Sequence, residues 1–260
     1  MVNSKLSFDD HGQGPAVLLI HGFPLCRKMW QPQLKPLAAA GYRGIAPDLR
    51  GYGDSPPERF PLRMDDYADD LILLLDELGI EQAVIGGFSM GGYVLMSLLE
   101  NHPQRIEAAL FMMTRAAADD QAGRQRRQLL AAEALELGPD RVADAFTSVL
   151  FAPGTSASSP LVTEVRGWML ATPPGSMAAG LLAMRDRKDY VAELKNFTQP
   201  ALVIGADQDL AIPLGHSVVL DSGLPNSRLQ VVAGAGHLAN LEQPEQFNRI
   251  LIDYLDSLSV

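Results

Sequence analysis

The run VIGGFSMGGYVLM (Val84 to Met96) places one serine, Ser89, between two pairs of glycines inside apolar sequence. A hydroxyl there could attack an electrophilic carbon, provided that a base removes its proton and a third group holds the base. Gly87-Phe88-Ser89-Met90-Gly91 fits the spacing of a sharp turn from strand to helix. Such a turn lifts the serine above a sheet, and glycines flank it because a Cβ there would strike backbone. A helix starting at the serine also aims its free N–H groups and positive dipole end at any developing negative charge.

A base and an acid should follow the serine in the chain, acid first. His237, in Gly234-Ala235-Gly236-His237, stands in a loop after the last apolar run and before a helix starting near Pro244. The other four histidines fit less well. His11 and His21 precede the serine, His102 ends its helix, and His216 falls inside or before another. For the acid, the segment GADQDLAIP offers Asp207 and Asp209, and either could reach a histidine by chain length. Whichever is not used has a ready role as a turn former bonding its own backbone. The residues alone favour Asp209 only modestly. Two N–H donors must also face the oxyanion. Met90 supplies one, and the loop His21-Gly22-Phe23-Pro24 supplies the other through Phe23, with His21 shaping that loop.

These residues need a frame, and the chain has one. Pro15–Ile20, Arg43–Ala46, Gln82–Ile85, Ile106–Met112, Ala201–Ile204 and Arg228–Val232 are short apolar runs, mostly bounded by Gly or Pro, and read as buried parallel strands. Helical patterns lie between them. The clearest runs from Asp65 to Leu78, with Leu71, Leu74, Leu75 and Leu78 on one face, acids in the first turn and Gly79 as the stop. Strands alternating with helices imply a parallel sheet covered on both faces. From about Thr114 to Phe197 the alternation gives way to four helical patterns, which read as an insertion over the carboxyl edge of the sheet.

The composition limits what the motifs mean. A chain of 260 residues, 47% hydrophobic and 20% charged, can bury a large core. It has no 18-residue apolar run, and its N-terminus, MVNSKLSFDDHGQG, lacks the apolar segment of a signal peptide. A single cysteine, Cys26, excludes an internal disulfide and fits a reducing compartment. The expected location is the cytoplasm. A formal net charge of −10 argues against nucleic acid or an anionic membrane as partner.

HGFP, PDLRGYGDS (Pro47 to Ser55), GFSMGG, GADQDLAIP and GAGHLANLEQPEQF (Gly234 to Phe247) together resemble the α/β-hydrolase superfamily, in order across most of the chain. The resemblance implies a mostly parallel central sheet with helices on both faces and a helical cap inserted after the sixth strand. It divides the chain into a core of residues 1–114 and 197–260 and a cap of residues 115–196. In that family the acid commonly stands four residues before the proline of its loop, which selects Asp209 over Asp207, and Asp48 and Arg50 become structural members of a turn. Haloalkane dehalogenases and most epoxide hydrolases of this shape carry Asp where this chain carries Ser89, so both are disfavoured.

The cap sequence is similar to the 3-oxoadipate enol-lactonase-like branch, many of whose members are carboxylesterases. The reaction so implied is hydrolysis of a small-molecule carboxylic ester through an acyl-enzyme, by Ser89, Asp209 and His237, without metal or cofactor, in a monomer or small homo-oligomer. Enol-lactone or carbon–carbon bond hydrolysis by the same residues is the nearest alternative, and a lyase, a perhydrolase or a slow ligand-binding receptor are others. Phe88, Met113, Phe146, Trp168, Met169 and Leu238 are candidates for the pocket wall, with Cys26 near its mouth or buried as a small hydrophobe. Arg115 is the one arginine expected near the site, as a partner for an anionic substrate, whereas Arg124, Arg126 and Arg127 read as a solvated helix face.

Overall fold

A computed structural model describes residues 6–57 and 62–258, so the first five residues of the N-terminal stretch weighed above lie outside the described residues. The chain runs β1 (Phe8–His11), β2 (Ala16–Ile20), α1 (Gln31–Ala39), β3 (Arg43–Pro47), α2 (Met64–Glu77), β4 (Ala83–Phe88), α3 (Met90–Asn101) and β5 (Ile106–Met112). Four helices follow: α4 (Gln121–Leu137), α5 (Asp140–Leu150), α6 (Pro160–Ala171) and α7 (Pro174–Arg185). The chain then returns through β6 (Ala201–Ala206), α8 (Gly215–Gly223), β7 (Ser227–Val232), α9 (Ala239–Glu242) and α10 (Pro244–Leu258).

The described strands form one seven-stranded sheet in the order β1-β3-β2-β4-β5-β6-β7, parallel except for β1, which runs antiparallel to β3. Each of the six apolar runs is one of these strands, but β7, expected to be buried, lies at the sheet edge and is half exposed or exposed at every position except Val232. β2, β4 and β6 are buried at every position, as strands covered on both faces must be. Side chains alternate between two cores. Leu18, Ile20 and Ile85 pack with Leu71, Leu74 and Leu75 of α2 and with α3 on one face. On the other, Val17, Leu19 and Val84 pack with Leu34 and Leu37 of α1 and Phe247 and Leu251 of α10. β1 was not legible as a strand: FDDH is half exposed and polar, and only pairing with β3 makes it extended.

The four helices predicted between the strands are α4 to α7, and they follow β5, the fifth described strand, where six were expected. The insertion meets loops at the carboxyl ends of the strands. Thr172 Oγ1 donates to the Pro24 carbonyl after β2 at 3.4 Å. Gly51, after β3, lies so close to α7 that a Cβ would stand 2.6 Å from Ser176 Oγ.

The PDLRGYGDS turn after β3 is organised by Asp48, which is fully buried. Its carboxylate accepts from the Arg27 N–H at 2.6 Å, from the Arg27 guanidinium and from the Asp54 N–H at 2.9 Å. Arg50 pairs with Asp70 of α2. Asp48 thus holds the turn together, and Arg50 ties it to α2. Gly53 has φ +52° and no space, since a Cβ would lie 2.1 Å from Asp48 Oδ2. Gly53→Ala should therefore cost at least about 2 kcal/mol in chemical denaturation. A loss below about 0.5 kcal/mol would show that Asp48 does not fix this turn.

Candidate active site

β4 ends at Phe88 and α3 begins at Met90, so the whole reversal from strand to helix falls on Ser89. Its backbone takes φ +52°, ψ −112°, a conformation that side-chain-bearing residues rarely adopt. Neighbours hold it there. The Ser89 N–H donates to Met112 O of β5 at 3.0 Å, and its carbonyl accepts from Gly92 N–H at 3.0 Å and Thr114 Oγ1 at 2.8 Å. The glycines are steric requirements: a Cβ on Gly87 would stand 2.3 Å from Gly91 O, and one on Gly91 would stand 2.6 Å from Ile20 O.

His237 lies in the loop after β7 and is buried. Its Nδ1 is 2.7 Å from Asp209 Oδ2, and the other oxygen of Asp209 accepts the N–H groups of Ala211 and Ile212, each at 2.8 Å. With the carboxylate on Nδ1, that nitrogen carries the proton and Nε2 is left as an acceptor. Asp207 is exposed and accepts the Gly234 N–H at 2.8 Å, a turn role. The geometry thus separates the two acids that chain length left open.

The loop after β2 runs beside the elbow. A Cβ on Gly22 would meet the Phe88 ring at 2.7 Å and Ser89 Cβ at 3.2 Å, so glycine brings this backbone against the serine. His21 is fully buried, with Nδ1 2.8 Å from Gly22 O and Nε2 accepting the Leu49 N–H at 2.9 Å. Burial holds its pKa below the ordinary imidazole value, although Asp48 and the Gly22 carbonyl pull the other way. It is a neutral strut of the loop. Met90 is the first residue of α3, so its N–H has no acceptor within the helix.

A cavity of about 540 Å³ opens over these groups and is lined by Phe23, Ser89 and His237 together with Phe146, Tyr93 and Ile212. Of the expected wall residues, Phe146 and Arg115 line it. Phe88, Met113, Trp168, Met169 and Leu238 do not. Phe88 is buried beneath the site, edge-on to His237 at 4.9 Å between ring centroids and to Trp30 at 6.1 Å. Met113, Met169 and Leu238 are buried in the core that α1 and α10 cover, and Trp168 packs partly against it. Cys26 is a buried thiol whose pKa burial pushes up to about 11. Tyr93 and His216, which also line the cavity, were not foreseen. Tyr93 could have been, since helical spacing puts it one turn past Ser89.

The arginines are arranged differently from expectation. Arg115, Arg126 and Arg127 all line the cavity; of the expected helix face, Arg126 is exposed and Arg124 pairs with Asp186 at 3.1 Å in solvent. Arg127 turns inward instead, because Asp119 offers a buried carboxylate that also receives Arg115 and, at 2.9 Å, Arg187. Burial alone would raise the Asp119 pKa, but the bonds from Arg187 and Arg127 outweigh it and hold the carboxyl well below the usual range. His216 is shifted down from the ordinary imidazole value by burial and then by Arg115.

Residues 15–244 match the alpha/beta hydrolase fold family, and the chain belongs to it. A thermophilic esterase from Thermogutta terrifontis, solved with malate bound, matches with TM-score 0.94 and 34% identity over 98% of this chain and 94% of that one. The 3-oxoadipate enol-lactonase 2 of Acinetobacter baylyi is 30% identical over 94% of this chain and 90% of its own length. Both support the esterase and enol-lactonase branch that the motifs resemble. The bifunctional epoxide hydrolase 2 of Sus scrofa is 27% identical over 97% of this chain, which spans about half (53%) of that protein.

A depressed carboxyl pKa contributes stability above the unfolded value of about 3.9, lost as pH falls toward the folded one. Asp119→Asn should therefore destabilise the protein by about 3 kcal/mol at pH 7, with the difference from wild type narrowing below about pH 4. Equal stability at pH 7 would mean that the three arginines do not need this carboxylate.

Proposed function

We propose that the protein is a serine hydrolase of carboxylic esters. The observation that carries this reading is that Ser89, on its strained turn, shares one cavity with a His237 held by Asp209. Ser89 Oγ attacks the acyl carbon as His237 Nε2 takes its proton, and the proton passes to the departing alkoxide. Asp209 keeps the imidazole in the accepting tautomer and stabilises it once protonated. The N–H groups of Phe23 and Met90 hold the tetrahedral oxyanion. Water then attacks the acyl-enzyme with His237 again as base. The chemistry uses no metal or cofactor. The single cysteine fits a cytoplasmic enzyme.

A second, narrower reading has its own support. Three arginines line the cavity against two aspartates, Asp119 and Asp120, in a chain of net charge −10, so the pocket is locally cationic. Arg126 has no hydrogen-bond or ion-pair partner among the described residues, and the buried Arg115 Nε has none either. Esters or lactones bearing a carboxylate suit such a wall. The relative with malate bound supports it too.

Ser89→Ala should lower kcat on p-nitrophenyl esters by on the order of 10⁴-fold or more. Retention of most activity would remove the mechanism. Because only a neutral imidazole accepts the serine proton, kcat/KM should fall on acidification, and a flat profile from about pH 5 to 8 would contradict His237 as base. Arg126→Gln, which leaves the Asp119 pairs intact, should raise KM about tenfold for a monoester of a dicarboxylic acid and spare neutral esters. An equal effect on both substrates would dismiss the anionic reading.

A further inference from the structure

The loop that carries His237 is held from two sides. Before the histidine, Gly234 N–H donates to Asp207 and Gln208 N–H donates to Ala235 O at 3.0 Å, which ties the loop to the segment after β6. Around the histidine itself the ties go elsewhere. Gly236 N–H donates to Glu242 Oε2 at 2.8 Å, and Leu238 N–H donates to Leu150 O, at the end of α5, at 3.0 Å. The other oxygen of Glu242 accepts the Ala152 N–H at 3.0 Å and the Thr155 hydroxyl at 2.6 Å. One carboxylate thereby joins the residue before His237 to the chain that follows α5. Gly236 completes the joint, because a Cβ there would stand 2.3 Å from Ala152 N.

The chemistry of the joint calls for a carboxylate. Glu242 has three hydrogen-bond partners among the described residues, all neutral donors approaching from two segments, and an ionised carboxylate is the side chain that accepts at both ends. A glutamine of the same shape would accept at one end and turn an NH2 group on a donor at the other. Among the described residues no cation pairs with Glu242, so the carboxylate serves these donors.

We infer that Glu242 is a positioning residue: it fastens the His237 loop to the helical insertion, so the imidazole keeps its place relative to Ser89 only while the segment after α5 is docked. This rests on the serine-hydrolase function proposed above. It adds a link from the insertion, whose helices are remote in sequence from the reacting groups, to the base. A displacement of about an ångström in a reacting group is enough to cost up to 100-fold in rate.

The experiment compares wild type, Glu242→Gln and Thr155→Val. It reads kcat and KM on a p-nitrophenyl ester, the rate constant for labelling by a p-nitrophenyl alkylphosphonate, and the Tm. Rates are expressed per site that finally labels, so loss of folded protein does not count. The expected result for Glu242→Gln is a fall of about tenfold or more in both kcat and labelling rate, with KM within about twofold. Wild-type rates per labelled site would overturn the inference, as would a loss of activity explained wholly by fewer labelled sites. Should Glu242→Gln fail to fold, Thr155→Val decides, since it removes one donor from a half-exposed position: a fall of at least about threefold in kcat supports the link, and an unchanged kcat refutes it. A wild type that neither labels nor turns over ester refutes both this inference and the proposed function, whereas an active wild type with indifferent variants refutes this one alone.

Discussion

The structure turns on a backbone constraint one residue wide. Ser89 must reverse the chain from β4 into α3 at φ +52°, and every neighbour that permits this is either glycine or a group bonded to its peptide. Gly87 and Gly91 leave room where the strand, the turn and the β2 carbonyls meet, and β5 receives the serine N–H. Strain of this kind persists only when the surroundings over-determine it. The parallel sheet supplies that rigidity, with both faces buried and β4 between β2 and β5. A hydroxyl held above the carboxyl edge of such a sheet, at the start of a helix, is exposed to a ligand while its backbone stays fixed.

Electrostatics then divide the residues around it. Near His237 one aspartate serves a single imidazole and two backbone N–H groups, a local arrangement that fixes a tautomer. Farther into the cavity another aspartate, Asp119, is shared by three arginines from the segment after β5, from α4 and from the segment after α7. That sharing ties the helical insertion together and leaves positive charge facing the cavity. The same pocket therefore has Ser89 and His237 at one place on its lining and three arginines, Arg115, Arg126 and Arg127, at another. In the proposed function the first set serves the chemistry and the second the selectivity, on different residues.

Much of this was legible in the sequence. The elbow announced itself because glycine is required at fixed offsets from the serine, and the inner strands β2, β4 and β6 did so because burial on both faces leaves unbroken apolar runs. Helix α2 was readable from its leucine spacing and Gly79. What escaped depends on contacts between distant segments. β1 has no apolar pattern and owes its strand form to β3. Arg127 sits among arginines that look like a solvated face, and only the position of Asp119 turns it inward. Phe88 and Leu238 flank the serine and the histidine in sequence, yet both side chains enter the core, because neighbours along a strand or loop point to opposite sides. Chain length alone left Asp207 and Asp209 open; the family spacing before Pro213 favours Asp209, and in the structure Asp209 meets His237 whereas the exposed Asp207 accepts the Gly234 N–H.

In the proposed mechanism His237 and Asp209 activate Ser89. Reaction with a p-nitrophenyl alkylphosphonate, followed by intact-mass analysis and peptide mapping, tests it without depending on a natural substrate. The expected result is one adduct per chain, on Ser89, with labelling slowed by on the order of 100-fold or more in His237→Ala and clearly slowed in Asp209→Asn. An adduct on another residue, or labelling of His237→Ala at the wild-type rate, would contradict it.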